Sequence, residues 1–75
     1  MERYENRNGD SGVSNYEIGP TYIIVGFIKG GVYEYTYASA GQNNIETMKN
    51  YALAGRGLCS FIQRHVKKAY SRKLR

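Results

Sequence analysis

Hydrophobic and polar positions divide the chain into four stretches. Residues 1–12 are polar, rich in Gly, Asn and Asp, and without periodicity, which predicts a flexible arm. From Ser14 to Ile18 the pattern alternates, with Tyr16 and Ile18 on one face of a short strand. Gly19-Pro20-Thr21 is a turn signal. The run 22–28 is β-branched and aromatic, and its length and flanking turns predict a buried strand. Lys29-Gly30-Gly31 then supplies a hairpin turn, because glycine accepts positive φ. Val32-Tyr33-Glu34-Tyr35-Thr36-Tyr37 alternates again and sets Tyr33, Tyr35 and Tyr37 on one face. Residues 14–37 therefore read as a three-stranded antiparallel meander. A two-residue loop puts the tyrosines on the face of Ile24 and Gly26. A three-residue loop puts Tyr33 on the face of Phe27.

The second half changes to helical spacing. Residues 38–42 read as a linker. Asn43, with Glu46 three residues on, reads as a capping-box-like start. Ile45, Met48 and Ala52 make one helical face, with Tyr51 beside it. Gly55 suits the left-handed position that ends a helix near Ala54. A second helix is predicted over 58–72. Its apolar rows are Leu58, Ile62, Val66 and Phe61, His65, Ala69, and its outer side carries Arg64, Lys67, Lys68, Ser71 and Arg72. The expected fold class is α+β: three strands followed by two helices in a small two-layer domain over 13–72, with 73–75 a basic end.

Size and charge narrow the function. At 75 residues the chain is one domain with a thin core. It is too short for a dinucleotide-binding doubly wound sheet. Its single cysteine excludes an internal disulfide, and one Cys with one His falls short of a structural zinc site. The remaining common stabiliser is self-association, so a homo-oligomer is expected. The start is too polar for a signal peptide, and no apolar run approaches the ~18 residues of a membrane span. A lone thiol at Cys59 fits a reducing compartment, so a cytoplasmic location is expected, in a bacterium or in the host of a phage. The net charge of +5 conceals a split. Residues 1–48 carry all six acids and three bases, net −3, and residues 49–75 carry eight bases and no acid, net +8. A field of one sign attracts polyanions and phosphates. A solvated helix face with a basic tail produces the same pattern.

Three features carry candidate chemistry. The turn Gly55-Arg56-Gly57 before a helix points N–H groups outward, where a phosphate can sit, and Arg56 adds a bidentate contact. An ordinary helix-to-helix turn has the same sequence. The row Tyr33, Tyr35, Tyr37 is either a base-stacking platform or the core face of the sheet, with Tyr33 and Tyr35 half-buried as the compromise. The basic residues Arg64, Lys67, Lys68 and Arg72 would meet phosphates. His65 lies between apolar positions and reads as a partly buried structural residue, and Cys59 as a small buried one. No nucleophile–base pairing or paired carboxylate is recognisable, so neither catalysis nor a cofactor is expected.

The centre of the chain resembles the KTSC domain, a short module found alone in bacteria and phages and at the end of some lysyl-tRNA synthetases. The matching pieces are Ser14-Asn15-Tyr16-Glu17-Ile18, Gly26-Phe27, Gly30-Gly31 and above all Val32-Tyr33-Glu34-Tyr35. Downstream, Ala54-Gly55-Arg56-Gly57, Phe61-Ile62 and Arg64-His65-Val66 resemble the family's turn and closing segment. Residues 38–41 depart from it, since a Val-Pro often follows the Tyr-x-Tyr strand there. The resemblance spans about residues 14–66 and implies a β-then-α domain, RNA binding and no catalytic residues. The expected function is non-enzymatic binding of a phosphate-bearing ligand, RNA or single-stranded nucleic acid or a nucleotide. Its ligand residues would be Tyr33, Tyr35, Tyr51, Gly55, Arg56, Gly57, Arg64, Lys67, Lys68 and Arg72. The alternative is an oligomeric phage-type sponge that sequesters a nucleotide immune signal in pockets between subunits, with Tyr33, Tyr35 or Tyr51 around the base. Third comes a protein- or membrane-interaction module, with the membrane disfavoured because the helix needs its apolar face for the core.

Overall fold

The structure, a computed structural model, describes residues 1–6 and 12–75. Among the described residues five strands form one antiparallel sheet in chain order: β1 Glu2–Arg3, β2 Val13–Ile18, β3 Tyr22–Phe27, β4 Gly31–Thr36 and β5 Arg72–Lys73. The helices are α1 Tyr37–Ala40, α2 Gln42–Ala54 and α3 Leu58–Phe61, the last widening into a π-helical segment Ile62–Val66. The α+β class and the central meander agree with the sequence, but the sheet has five strands rather than three.

Both extra strands come from segments given other roles by the pattern. Of the expected arm, residues 7–11 lie outside the described residues. Glu2 and Arg3 pair with Tyr16 and Asn15, and the Tyr4 N–H continues the ladder to the Ser14 carbonyl. Tyr4 is buried, and its hydroxyl oxygen accepts from the Leu58 N–H at 3.2 Å. At the other end, the predicted helix over 58–72 is cut short. The helical rise ends after Val66, and Ser71 and Leu74 donate to the carbonyls of Glu34 and Val32. Backbone groups along the open edge of β4 are satisfied this way, which a longer helix would have left to water.

The β3–β4 register settles the hairpin. Ile23 faces Tyr35, Val25 faces Tyr33 and Phe27 faces Gly31, so the loop has three residues, 28–30. Tyr33 and Tyr35 therefore share the face of Ile23, Val25 and Phe27. Helices cover that face. Val13, Tyr16, Ile23, Val25 and Tyr35 from the sheet meet Ile45, Met48, Ala52, Leu58, Ile62 and Val66 in one core, joined by Tyr4.

The segment expected as a linker is a helical turn. Thr36 is its N-cap: its hydroxyl accepts from the Ser39 N–H at 3.1 Å, and the Ser39 hydroxyl accepts from the Thr36 N–H at 3.0 Å. The capping box thus lies here and not at Asn43 and Glu46. α2 starts at Gln42 after Gly41 with no side-chain cap. Glu46 instead accepts from the Tyr37 hydroxyl at 2.6 Å and pairs with Lys49 at 2.8 Å. These two partners, Lys49 first, hold the Glu46 carboxyl below its ordinary range. The far end of α2 follows the sequence: Gly55 is left-handed at φ 74° and its N–H closes the last turn on Tyr51 and Ala52.

Candidate functional site

A cleft of about 430 Å³ opens where the β3–β4 hairpin meets the segment after α3. Phe27, Tyr33, Lys29 and Gly30 come from the hairpin, Cys59, Ile62, Gln63 and Lys67 from the helical side, and Tyr70 from the turn before β5. Gly12 and Tyr35 complete it. No carboxylate lines it among the described residues. Lys29 from the hairpin and Lys67 from the helical side are both exposed, so cationic heads flank a lining that includes four aromatic rings.

The aromatic rings are locked by one another. Phe27 meets Tyr33 edge-on at 5.8 Å between centroids, Tyr33 meets Tyr70 at 4.7 Å, and Tyr70 stands perpendicular to Tyr35 at 6.4 Å. The Lys73 ammonium lies 5.8 Å from the centre of the Tyr33 ring. Contacts of this kind fix ring orientation and add ~0.5–1.5 kcal/mol per pair beyond burial. Tyr35 is 2% exposed, and burial, with Tyr33, Tyr70 and Cys59 close by, pushes its hydroxyl up to about 12.

The predicted ligand residues separate into groups. Tyr33, Tyr35 and Lys67 converge on the cleft, but Tyr35 sits in the core and leaves Tyr33 and Tyr70 as the reachable rings. Tyr37, the third of the row, belongs to α1 and is committed to Glu46. Arg64 and Lys68 are exposed on the same basic segment as Lys67. Arg72 is not on a helix. It lies in β5 opposite Glu34 and pairs with that carboxylate at 3.0 Å, on the face of the sheet away from the cleft.

Tyr51 stacks elsewhere, on Phe61 at 5.5 Å, and Phe61 stacks on His65 at 4.6 Å. His65 is exposed, not partly buried as its spacing suggested, because the π-helical widening keeps Ile62 and Val66 in the core. Cys59 is half-buried, with its free thiol on the cleft wall.

Gly55, Arg56 and Gly57 stand apart from the cleft. Gly57 is left-handed at φ 84°, a backbone that favours glycine, and a Cβ there would lie tight against the Tyr51 ring at 3.0 Å. Two N–H groups that an anion would need are already donated, Gly55 to α2 and Leu58 to Tyr4. α3 itself is only four residues long. Arg56 is exposed in the turn.

Sequence reasoning missed Tyr70. It continues the row Leu58, Ile62, Val66 by four residues, which was the available signal. Phe27 and Lys29 were legible only once the loop length was known. Among the described residues no cluster of His, Cys, Asp or Glu is arranged to hold a metal ion, and no helix is long and apolar enough to cross a membrane. Comparison of the chain with protein-family models, curated proteins and solved structures finds no match.

Proposed function

We propose that the protein is a non-enzymatic binding module for a phosphate-bearing ligand with an aromatic base, foremost single-stranded RNA or a nucleotide. The observation that carries this reading is the cleft: two reachable tyrosines between two lysines, with no carboxylate in the described lining. A base stacks on Tyr33 and Tyr70, and its phosphate meets Lys29 or Lys67. Arg64 and Lys68 extend the basic track for further phosphates, whereas Tyr51, Arg56 and Arg72 stand outside it. The resemblance of Val32-Tyr33-Glu34-Tyr35 and its flanks to the KTSC domain supports the same reading.

Fluorescence anisotropy with a labelled single-stranded RNA, repeated across salt concentrations, tests the proposal. Binding should weaken steeply as salt rises. Lys29→Ala with Lys67→Ala should lower both the affinity and the salt slope, the slope by roughly one unit for each phosphate no longer neutralised. Thermal shifts with mononucleotides and cyclic dinucleotides separate a nucleotide-sized ligand from a polymer. No binding to RNA, DNA or any nucleotide of the panel would end this reading.

A further inference from the structure

The lining of the cleft is graded by exposure. Lys29, Gln63, Lys67 and Tyr70 are exposed at its rim, Phe27, Tyr33 and Cys59 are half-buried in its walls, and Tyr35 and Ile62 are buried at its floor. Tyr35 is thus the one buried side chain with a polar atom in the described lining. Its ring belongs to the core and the residue is only 2% exposed. Its hydroxyl makes no hydrogen bond to any described residue, although Tyr33, Tyr70 and Cys59 lie near it. Among the described residues no sealed side-chain nitrogen or oxygen lacks a partner, so this unpartnered oxygen is not sealed. What remains exposed of Tyr35 includes the hydroxyl, and it opens into the cleft.

A hydroxyl in such surroundings costs free energy until it finds a partner. The described residues supply none, so the partner comes through the cleft: water in the free protein, a polar ligand atom in the complex. Burial pushes the phenol up to about 12, so at neutral pH it keeps its proton and donates. No carboxylate in the described lining competes for that proton, and the Cys59 thiol on the wall is a weak acceptor. At about 430 Å³ the cleft lies in the lower part of the ~300–1,000 Å³ range of small-ligand pockets, which suits one nucleotide unit. The grading gives that unit a direction. Its phosphate stays with the exposed lysines, its base lies against Tyr33 and Tyr70, and the edge of the base points to the floor.

We propose that Tyr35 is the specificity-determining residue of the cleft: its hydroxyl donates a hydrogen bond to an acceptor atom on the inward edge of the base. The inference rests on the nucleotide-binding reading above and adds to it the group that recognises the base. Anisotropy titrations with short single-stranded RNAs of uridine, cytidine or adenosine alone, and with an abasic strand of the same length, test it. The same comparison is made by calorimetry between the ribonucleoside monophosphates and ribose phosphate. The wild type should hold the base-bearing ligand more tightly than the abasic one. Tyr35→Phe keeps the ring and should cut that margin by about 10-fold, because a site built to hydrogen-bond its ligand then lacks the donor. It should leave the abasic ligand as it was, whereas Lys67→Ala should weaken both. At neutral pH the urea midpoint of Tyr35→Phe should be no lower than that of the wild type, since the hydroxyl bonds to none of the described residues. A margin unchanged in Tyr35→Phe while Lys67→Ala weakens binding overturns this inference alone and leaves the binding reading standing. Equal weakening of the abasic ligand by Tyr35→Phe, or a lower urea midpoint, also overturns it, because the hydroxyl would then serve the fold. A wild type that binds none of these ligands, or holds base-bearing and abasic ones alike, ends both readings.

Discussion

Tyr4 stands in a run of polar residues, yet its ring is buried and its hydroxyl accepts from the first N–H of α3. A single apolar residue has no period, so nothing in the pattern distinguished it from the arm around it. Tyr4→Phe keeps the ring and leaves the buried Leu58 N–H without its partner. The expected loss is about 1–3 kcal/mol, read by urea denaturation with an unchanged m-value. Tyr35 sets a pH limit at the same scale. Burial raises its hydroxyl from the ordinary 10 to about 12, so the folded state favours the neutral phenol. The stability linked to it is complete below pH 10 and is lost as pH rises through 12. Tyr16 and Tyr37 are raised in the same direction, the first mainly by burial and the second by its bond to Glu46. Thermal melts between pH 8 and 12 (about the range of tyrosine ionisation) should fall steeply, and Tyr35→Phe should make that fall shallower.

At the scale of elements, the pattern read well where a local signal and the tertiary contact agreed. Ile45, Met48 and Ala52 are all buried, and Gly55 ends α2 in the left-handed conformation its position suggested. The start of α2 read badly because two capping candidates were present. Asn43 and Glu46 had the spacing, but Thr36 and Ser39 close the box, and α1 and α2 follow one another across Gly41. Thr36→Ala should therefore cost ~1 kcal/mol of stability in denaturant titrations, whereas Asn43→Ala should stay within a few tenths. The C-terminal error has a different cause. Residues 67–71 contain no Gly, Pro or Asn to stop a helix, so the period ran on to residue 72. What stops it is the edge of β4, whose carbonyls at Glu34 and Val32 take the chain as β5. That competition lies outside any local window of sequence. Tyr70 and Lys73 reach Tyr33 because the chain reverses there, so the place of Tyr70 in the cleft depends on that reversal and not on the helical row it continues.

The whole molecule keeps the charge asymmetry of its sequence but distributes it by face. The sheet's outer face is grooved and carries charges of both signs, and the helical side is basic. The aromatic cleft lies at the boundary between the hairpin and that basic side. In the Gly55 to Gly57 turn, the most phosphate-like motif in the sequence, Gly55 caps α2 and Gly57 lies against Tyr51. The tyrosine row, read as platform or core, divides: Tyr35 is core and Tyr33 is cleft wall. Whether this cleft takes a nucleotide unit can be read directly by two-dimensional NMR, with a short single-stranded RNA titrated into labelled protein. Progressive shifts should be confined to the amides around Phe27, Lys29, Tyr33, Gln63, Lys67 and Tyr70. Shifts centred on Tyr51, Arg56 and Gly57, or on the outer sheet face, or no shifts at all, would contradict binding in the cleft.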